Sequence, residues 1–427
     1  MKRTWLCCAL AALLHLPAQA VDLSWSGFGT LGYAQTNRPY TYQRFLRDEG
    51  SFERDTVLGG QVDAQFTPQW SATAQVTLAP SMRHDRGWSI TPSWAFVGWR
   101  PSDDWLVRVG RLRLPLYLYS ESLDVGQSRD MVRLPTEMYS IVPSNDFNGL
   151  SVTKTWLLGN SGEVSVDAYT GRARTGARLW HRDGLPPFIA SGAGFVDVNV
   201  RVTGLVLTAR DTDLQLRVGV HRAATNRSSG EPVPVKFPYV ALGPGLGYYQ
   251  VDGSMYGPGI PTVNPLRNTI ATLGAEYSFG QGWGIAAEFA RDFQHGSEVG
   301  SDTRGGYLAL SRRIGDFVPY TSVAALRSSR VSLDWVDQLT APLSPYLPGS
   351  AQIAAAQRMA AAGIYAADQR SLAVGSAYHL STTSKLKFEW MRTRIGRGSR
   401  LVDTPAGSEP PRDTHIDVLS VNYNFVF

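Results

Sequence analysis

The feature that most restricts this chain is alternation. In residues 70–78, WSATAQVTL, Trp70, Ala72, Ala74, Val76 and Leu78 fall on one side and Ser71, Thr73, Gln75 and Thr77 on the other. In 213–221, DLQLRVGVH, Leu214, Leu216, Val218 and Val220 oppose Gln215, Arg217, Gly219 and His221. In 383–391, TSKLKFEWM, Leu386, Phe388 and Trp390 oppose Lys385, Lys387 and Glu389. A period of two with one oily and one wet face is the signature of a strand. The last seven residues, VNYNFVF, carry it to the end of the sequence: Tyr423, Phe425 and Phe427 share one face, Asn422 and Asn424 the other.

Sixteen such segments can be marked: 24–34, 56–67, 70–78, 92–100, 104–112, 147–156, 163–171, 200–208, 213–221, 269–278, 282–292, 304–313, 317–327, 369–379, 383–394 and 414–427. Seven short connections, such as 68–69 and 315–316, alternate with eight long ones: 35–55, 79–91, 113–146, 172–199, 222–268, 293–303, 328–368 and 395–413. A soluble β-sandwich has no reason to segregate its loop lengths. A membrane barrel does, with short periplasmic turns and long external loops. After residue 20 no apolar run is long enough for a membrane helix, and lipid offers no partner to an open sheet edge, so membrane-spanning strands must close into a barrel. The expected fold is therefore all-β, a transmembrane antiparallel barrel of about sixteen strands. Trp70, Trp105, Trp156, Trp283 and Phe317 all stand near short turns, where one aromatic girdle belongs.

Export is expected from the first residues. Lys2 and Arg3, an apolar stretch from Trp5 to Leu16, and Ala18-Gln19-Ala20 form a cleavable leader, with 21–427 the single barrel domain. Cys7 and Cys8 are the only cysteines, so the mature chain has none and depends on no disulfide. Removing Lys2 and Arg3 takes the formal charge from +5 to +3, too mild to point to nucleic acid. No histidine spacing suits a metal, and no nucleophile elbow is present. Neither catalysis nor a cofactor is expected. Gly27-Phe28-Gly29-Thr30-Leu31-Gly32 matches a dinucleotide pattern, but a strand and a loop follow it where a helix would be needed; close packing at a barrel seam is the better reading. The segment from Ser350, SAQIAAAQRMAAAG, predicts a short helix in the loop 328–368.

Together, GFGTLGY at 27–33, VRVGR at 107–111 followed by a long loop, and the terminal aromatic strand make the chain resemble the sixteen-stranded general porins of Gram-negative outer membranes. The resemblance implies a water-filled channel for small hydrophilic solutes, a homotrimer surrounded by outer-membrane lipid and lipopolysaccharide, and a third loop folded into the lumen as constriction loop 113–146. It also implies that Tyr423, Phe425 and Phe427 act as the signal to the barrel-assembly machinery. The acidic-aromatic loop tip usual in that family is absent, and LPTEMYS, 134–140, stands in its neighbourhood. A substrate-selective channel for organic acids or phosphate, and a barrel whose loops bind partners, are the alternatives.

Of 41 basic residues, 36 are Arg, a side chain that keeps its charge and offers anions a rigid donor fork. Fixed charges at a constriction set which ions pass. The expected lining is Arg108 and Arg111 on the strand leading in, with Arg113, Glu121, Asp124, Arg129, Asp130, Arg133 and Glu137 on the loop. Loop carboxylates would oppose wall arginines, with a weak anion preference following from the overall positive charge.

Overall fold

A computed structural model of the chain describes residues 21–427 apart from Pro143, Asn160, Pro186 and Ser301. The leader expected over residues 1–20 lies outside the described residues. Sixteen strands form one closed barrel. They are β1 Asp22–Thr36, β2 Val57–Gln65, β3 Trp70–Pro80, β4 Trp88–Ser102, β5 Trp105–Arg113, β6 Asp146–Leu158, β7 Gly162–His181 and β8 Gly192–Arg210. The second half continues with β9 Leu214–Arg227, β10 Leu266–Phe279, β11 Trp283–His295, β12 Thr303–Arg312, β13 Phe317–Ser328, β14 Asp368–His379, β15 Ser384–Gly398 and β16 Thr414–Val426. Each strand pairs antiparallel with its sequence neighbours, and β16 closes on β1 with Phe28 opposite Val426 and Thr36 opposite Val418. All sixteen segments marked from alternation are strands.

The alternation is inside out relative to a soluble protein. On β9, Leu214, Leu216, Val218 and Val220 are exposed on the outer face, while Arg217 and His221 are buried inside. On β16, Leu419, Val421 and Tyr423 point outward and Ser420, Asn422 and Asn424 inward. A surface this apolar fits hydrocarbon, and closure leaves no edge strand without a partner. The aromatic girdle runs round the short-turn end. Trp70 stacks on Trp99 at 5.9 Å between ring centroids, Phe279 on Trp283 at 6.3 Å, and Phe317 packs on Tyr378 at 4.6 Å.

At the seam, Gly27 and Phe427 exchange backbone hydrogen bonds of 2.9 and 3.0 Å. The rings of Phe427 and Phe425 lie over Gly27 and Gly29 so closely that a Cβ at either glycine would meet ring carbons at 2.2 and 2.4 Å. The glycine motif is thus a bed for aromatic rings, as cross-strand packing on bare backbone requires.

Two expectations need correction. The connection expected over 172–199 is mostly strand: β7 and β8 stay paired from Glu163–Arg210 up to His181–Gly192. The loop between β13 and β14 holds two helices, α1 Arg330–Thr340 and α2 Ser350–Ala362, where one was expected. Ser329 caps α1 by accepting from the Ser332 amide at 3.1 Å. Leu333, Trp335 and Leu339 of α1 pack with Ala361, Ile364 and Phe237 into an apolar cluster among the loops, clear of the wall strands.

Candidate functional site: the loop across the lumen

The third long loop leaves β5 after Arg113 and returns at Asp146. Its sequence explains why it turns inward. Leu114, Leu116, Tyr117, Met131, Leu134, Met138 and Ile141 are too apolar for an external loop, and all are buried against inward-facing Tyr169, Val202, Ala290, Tyr307, Tyr320 and Leu326. The barrel therefore has a core of its own, made of loop and wall.

Polar contacts tie the loop to opposite sides of the barrel. On one side Arg217 of β9 donates to the Tyr117 carbonyl at 2.5 Å, and Glu288 of β11 accepts from the Leu118 amide at 2.8 Å and from the Tyr139 hydroxyl at 2.5 Å. On the other, Lys387 of β15 donates to the carbonyls of Gly126 and Met131 at 2.7 and 3.1 Å. Gly126 lies so close to Asn424 and Thr30, at the seam, that a Cβ would meet their side chains at 2.1 and 2.5 Å. The ninth strand and the first are diametrically opposed in a barrel of sixteen, so the loop crosses the lumen from wall to wall.

The loop charges fall into two groups. Arg133 is buried with Asp55 of the first long loop at 2.6 Å, with Ser420 at 2.9 Å and with Glu389 at 3.8 Å. Burial raises the Asp55 carboxyl, but the charge and hydrogen bond of Arg133 more than reverse this and hold it below the ordinary range. Asp130 is likewise raised by burial and brought below its ordinary value by Lys385 at 2.7 Å and His379 at 3.1 Å. Arg129 is folded back on the carbonyls of Ser122, Leu123 and Val125, and burial lowers its pKa. Glu137 is fully buried, accepting from Gln369 at 2.8 Å, and burial raises its carboxyl. Arg113 is pinned between Asp124 and Asp146. These residues anchor the loop.

The second group gathers around the exposed Glu121. Glu121 has 47% of its side chain exposed and lies 3.7 Å from Arg108, which also sits 3.9 Å from Asp167 of β7. Arg108 is thus paired with the loop carboxylate it was expected to oppose. Arg111 does not join it. Three positions along a strand reverse the face, so Arg111 shares its side with exposed Val109, Asn148 and Leu150 and pairs with Asp146 at 2.9 Å. Arg111 is on the outer face, and its placement at the constriction is corrected.

The residues that fasten the loop to the wall, Lys385, Lys387, Glu389, Glu288 and Asn422, were not among the expected site residues. Their signal was present: each is a charged or amide side chain on the wet phase of a strand.

A closed antiparallel barrel of sixteen strands, short-turned at one end, with its third long loop in the lumen, is the porin-type fold. No protein-family model and no curated protein matches the chain. Solved structures do. The anion-selective porin from Comamonas acidovorans is similar over 95% of this chain and 100% of that one, with 10% identity and a TM-score of 0.52. The outer-membrane protein OmpT of Vibrio cholerae is similar over 96% and 99%, with 9% identity and a TM-score of 0.51. A trimer form of the same OmpT matches over 96% and 100%, with 10% identity and a TM-score of 0.50.

Proposed function

We propose that the protein is a channel in the outer membrane of a Gram-negative bacterium, passing small hydrophilic solutes by passive diffusion and acting as no enzyme. The observation that carries this reading is the inside-out alternation of a closed barrel, with leucine, valine and phenylalanine outward and Arg217, His221, Glu288 and Asp292 inward on β9 and β11. Sixteen strands enclose a lumen wide enough for water, and a loop within it narrows the passage. The group made by exposed Glu121 with Arg108 and Asp167 is the best candidate for the part of the lining that solutes meet. Its charges are mixed and mutually paired, which supports weak ion preference.

The reach of the loop to both walls favours a narrow passage, and with it a second reading in which one class of small solute is preferred. The trimer form of the Vibrio protein and the apolar outer face of β1–β4, with Leu31, Leu58, Val76 and Ile90 exposed, support a homotrimer packed through that arc.

Purified protein in planar bilayers should give discrete conductance steps. A folded, heat-modifiable barrel without steps would overturn the channel reading. Solute flux that saturates with concentration selects the second reading, and linear flux the first.

A further inference from the structure

The hairpin of β7 and β8 outgrows its neighbours. β6 pairs with β7 only as far as Asn148 opposite Arg172, and β9 with β8 only as far as Arg227 opposite Val198. β7 and β8 continue to hold each other up to His181 opposite Gly192. No proline interrupts residues 173–181 or 192–199, so the ladder has nothing to stop it there. The stretch from Ala173 to His181 forms a free ribbon that reaches about 30 Å. Sixteen strands set about 4.8 Å apart and tilted about 40° enclose a circle roughly 32 Å across. The ribbon is long enough to span the mouth.

It does lean across. Ala177, Val196 and Val198 rest on the apolar core made by the lumen loop and the wall. Arg178 and Trp180 continue the phase on which Ala168 and Thr170 face outward, yet their partners stand on the far side of the barrel. Arg178 donates to both oxygens of Asp403, at 2.9 and 2.6 Å, and through Nε to Asp85. The Trp180 indole donates to the Thr404 carbonyl at 2.9 Å, and Arg400 donates to the Arg178 carbonyl at 2.9 Å. Asp403 and Thr404 belong to the connection between β15 and β16. In a ring of sixteen strands that connection is diametrically opposed to the one between β7 and β8. It is itself fixed, because Thr41 and Tyr42 of the first long loop pair with Asp403 and Val402. The clamp is shut away from water, with the side chains of Arg178, Asp85 and Asp403 only 13%, 14% and 4% exposed. A two-pronged guanidinium–carboxylate contact is among the strongest of polar pairings.

We propose that this bridge is a second filter at the outer mouth, in series with the loop across the lumen, and that Arg178, Asp403 and Trp180 determine which solutes it admits. Solutes enter beside the bridge, and bulky ones are turned away before they meet the constriction. The inference rests on reading the barrel as a channel. It adds specificity-determining residues remote from the lumen loop. Arg44 also reaches Asp85, at 2.9 Å, so two arginines face two aspartates in the clamp. Such a bridge sorts by bulk far more than by charge. The far anchor is essential to it, since a lone two-stranded ribbon is marginal in water. Without the clamp the tip is free to swing, and the mouth widens.

The test is swelling of proteoliposomes that hold the full-length barrel, driven by neutral sugars: arabinose, sucrose and raffinose. Neutral probes remove any effect of lost charge. Arg178→Ala and Asp403→Ala should each raise the rate for raffinose relative to arabinose severalfold, and leave the arabinose rate close to that of wild type. Each variant is first shown to be heat-modifiable, so that only folded barrels are compared. The mature chain has no cysteine, which permits a tether. Arg178→Cys/Asp403→Cys should show the raised ratio untreated and return to the wild-type ratio once joined by a short bismaleimide. The same folded preparation then reads both states. Equal ratios in wild type and both alanine variants would overturn the bridge as a filter and leave all sorting to the lumen loop. So would a tether that changes nothing. Barrels that pass no sugar, with or without the clamp, refute the channel reading; barrels that pass arabinose with an unaltered size series refute this inference alone.

Discussion

Replacing Arg108 with alanine removes the wall arginine that pairs with the exposed Glu121 of the loop. Its guanidinium lies 3.7 Å from Glu121 and 3.9 Å from Asp167, and its removal takes the one positive charge from between them. A monovalent ion passing about 5 Å from the vacated position then loses one unit of positive charge from its surroundings. In a medium as polar as bulk water that is worth roughly 0.8 kcal/mol, and more where the wall lowers the effective dielectric. With RT near 0.59 kcal/mol, local cation occupancy rises about fourfold and anion occupancy falls by about the same factor. The assay is the reversal potential in a salt gradient across a planar bilayer. Arg108→Ala should shift it toward cations in dilute salt. The shift should largely vanish near 1 M, where the Debye length is about 3 Å against about 10 Å at 0.1 M. Arg111→Ala should leave the potential unchanged, because that side chain is on the outer face with Asp146. An unchanged potential for Arg108→Ala at low salt, or an equal shift for Arg111→Ala, would refute the assignment of lumen and outer face on β5.

Arg133→Ala leaves Asp55 and Glu389 buried without their shared cation, a loss of about 3–5 kcal/mol for a buried pair. Noisier conductance and new protease cleavage within 113–146 should follow, and wild-type behaviour in both would show that the loop is anchored elsewhere. Asp55 and Asp130 are held below their ordinary values, so their stabilising contribution is full above the unfolded carboxylate pKa of about 4 and is lost as pH falls through the depressed values. Loop release should therefore appear only in acid below about pH 4, and release between pH 5 and 8 would contradict this. Gly27→Val, like deletion of Phe427, should cut the yield of heat-modifiable barrel, because the ring now over Gly27 is displaced; assembly equal to wild type would reduce the seam aromatics to ordinary lipid contacts. Intact mass of protein from outer membranes should begin at Val21, and a mass that retains Met1 to Ala20 would end the export argument.

The strands were legible because lipid imposes the simplest pattern available, apolar on every second residue. Where the wall leaves lipid the pattern fades while the hydrogen bonds continue. β7 beyond Thr170 alternates Arg172 and Arg174 with small residues and still pairs with β8 to His181. There the outward face carries arginines while the inward face, with Ala173, Val198 and Val200, packs into the apolar core of loop and wall, so the lipid pattern no longer separated strand from loop. The loop across the lumen was legible as a loop and as an inward one. Its charges were not, because their partners are remote: Arg133 finds Ser420 and Glu137 finds Gln369 only after closure. The overall positive charge is a weak guide for a different reason. Much of the excess arginine stands on the outer face, so net charge says little about what an ion meets inside.

The seam between β1 and β16 has a consequence in time. Phe28 pairs with Val426 across almost the whole sequence, so the first strand made has no partner on that side until the last is present. Contacts of such separation come late, after the entropy of closing the whole chain has been met. Until then β1 and whichever strand was last added both present bare ladders, and those edges attract any other extended chain. Closure therefore works as a check on completeness. A chain cut short before β16 keeps a sticky edge at each end and stays visible to proteases and chaperones, and only the finished one conceals both edges in the same step.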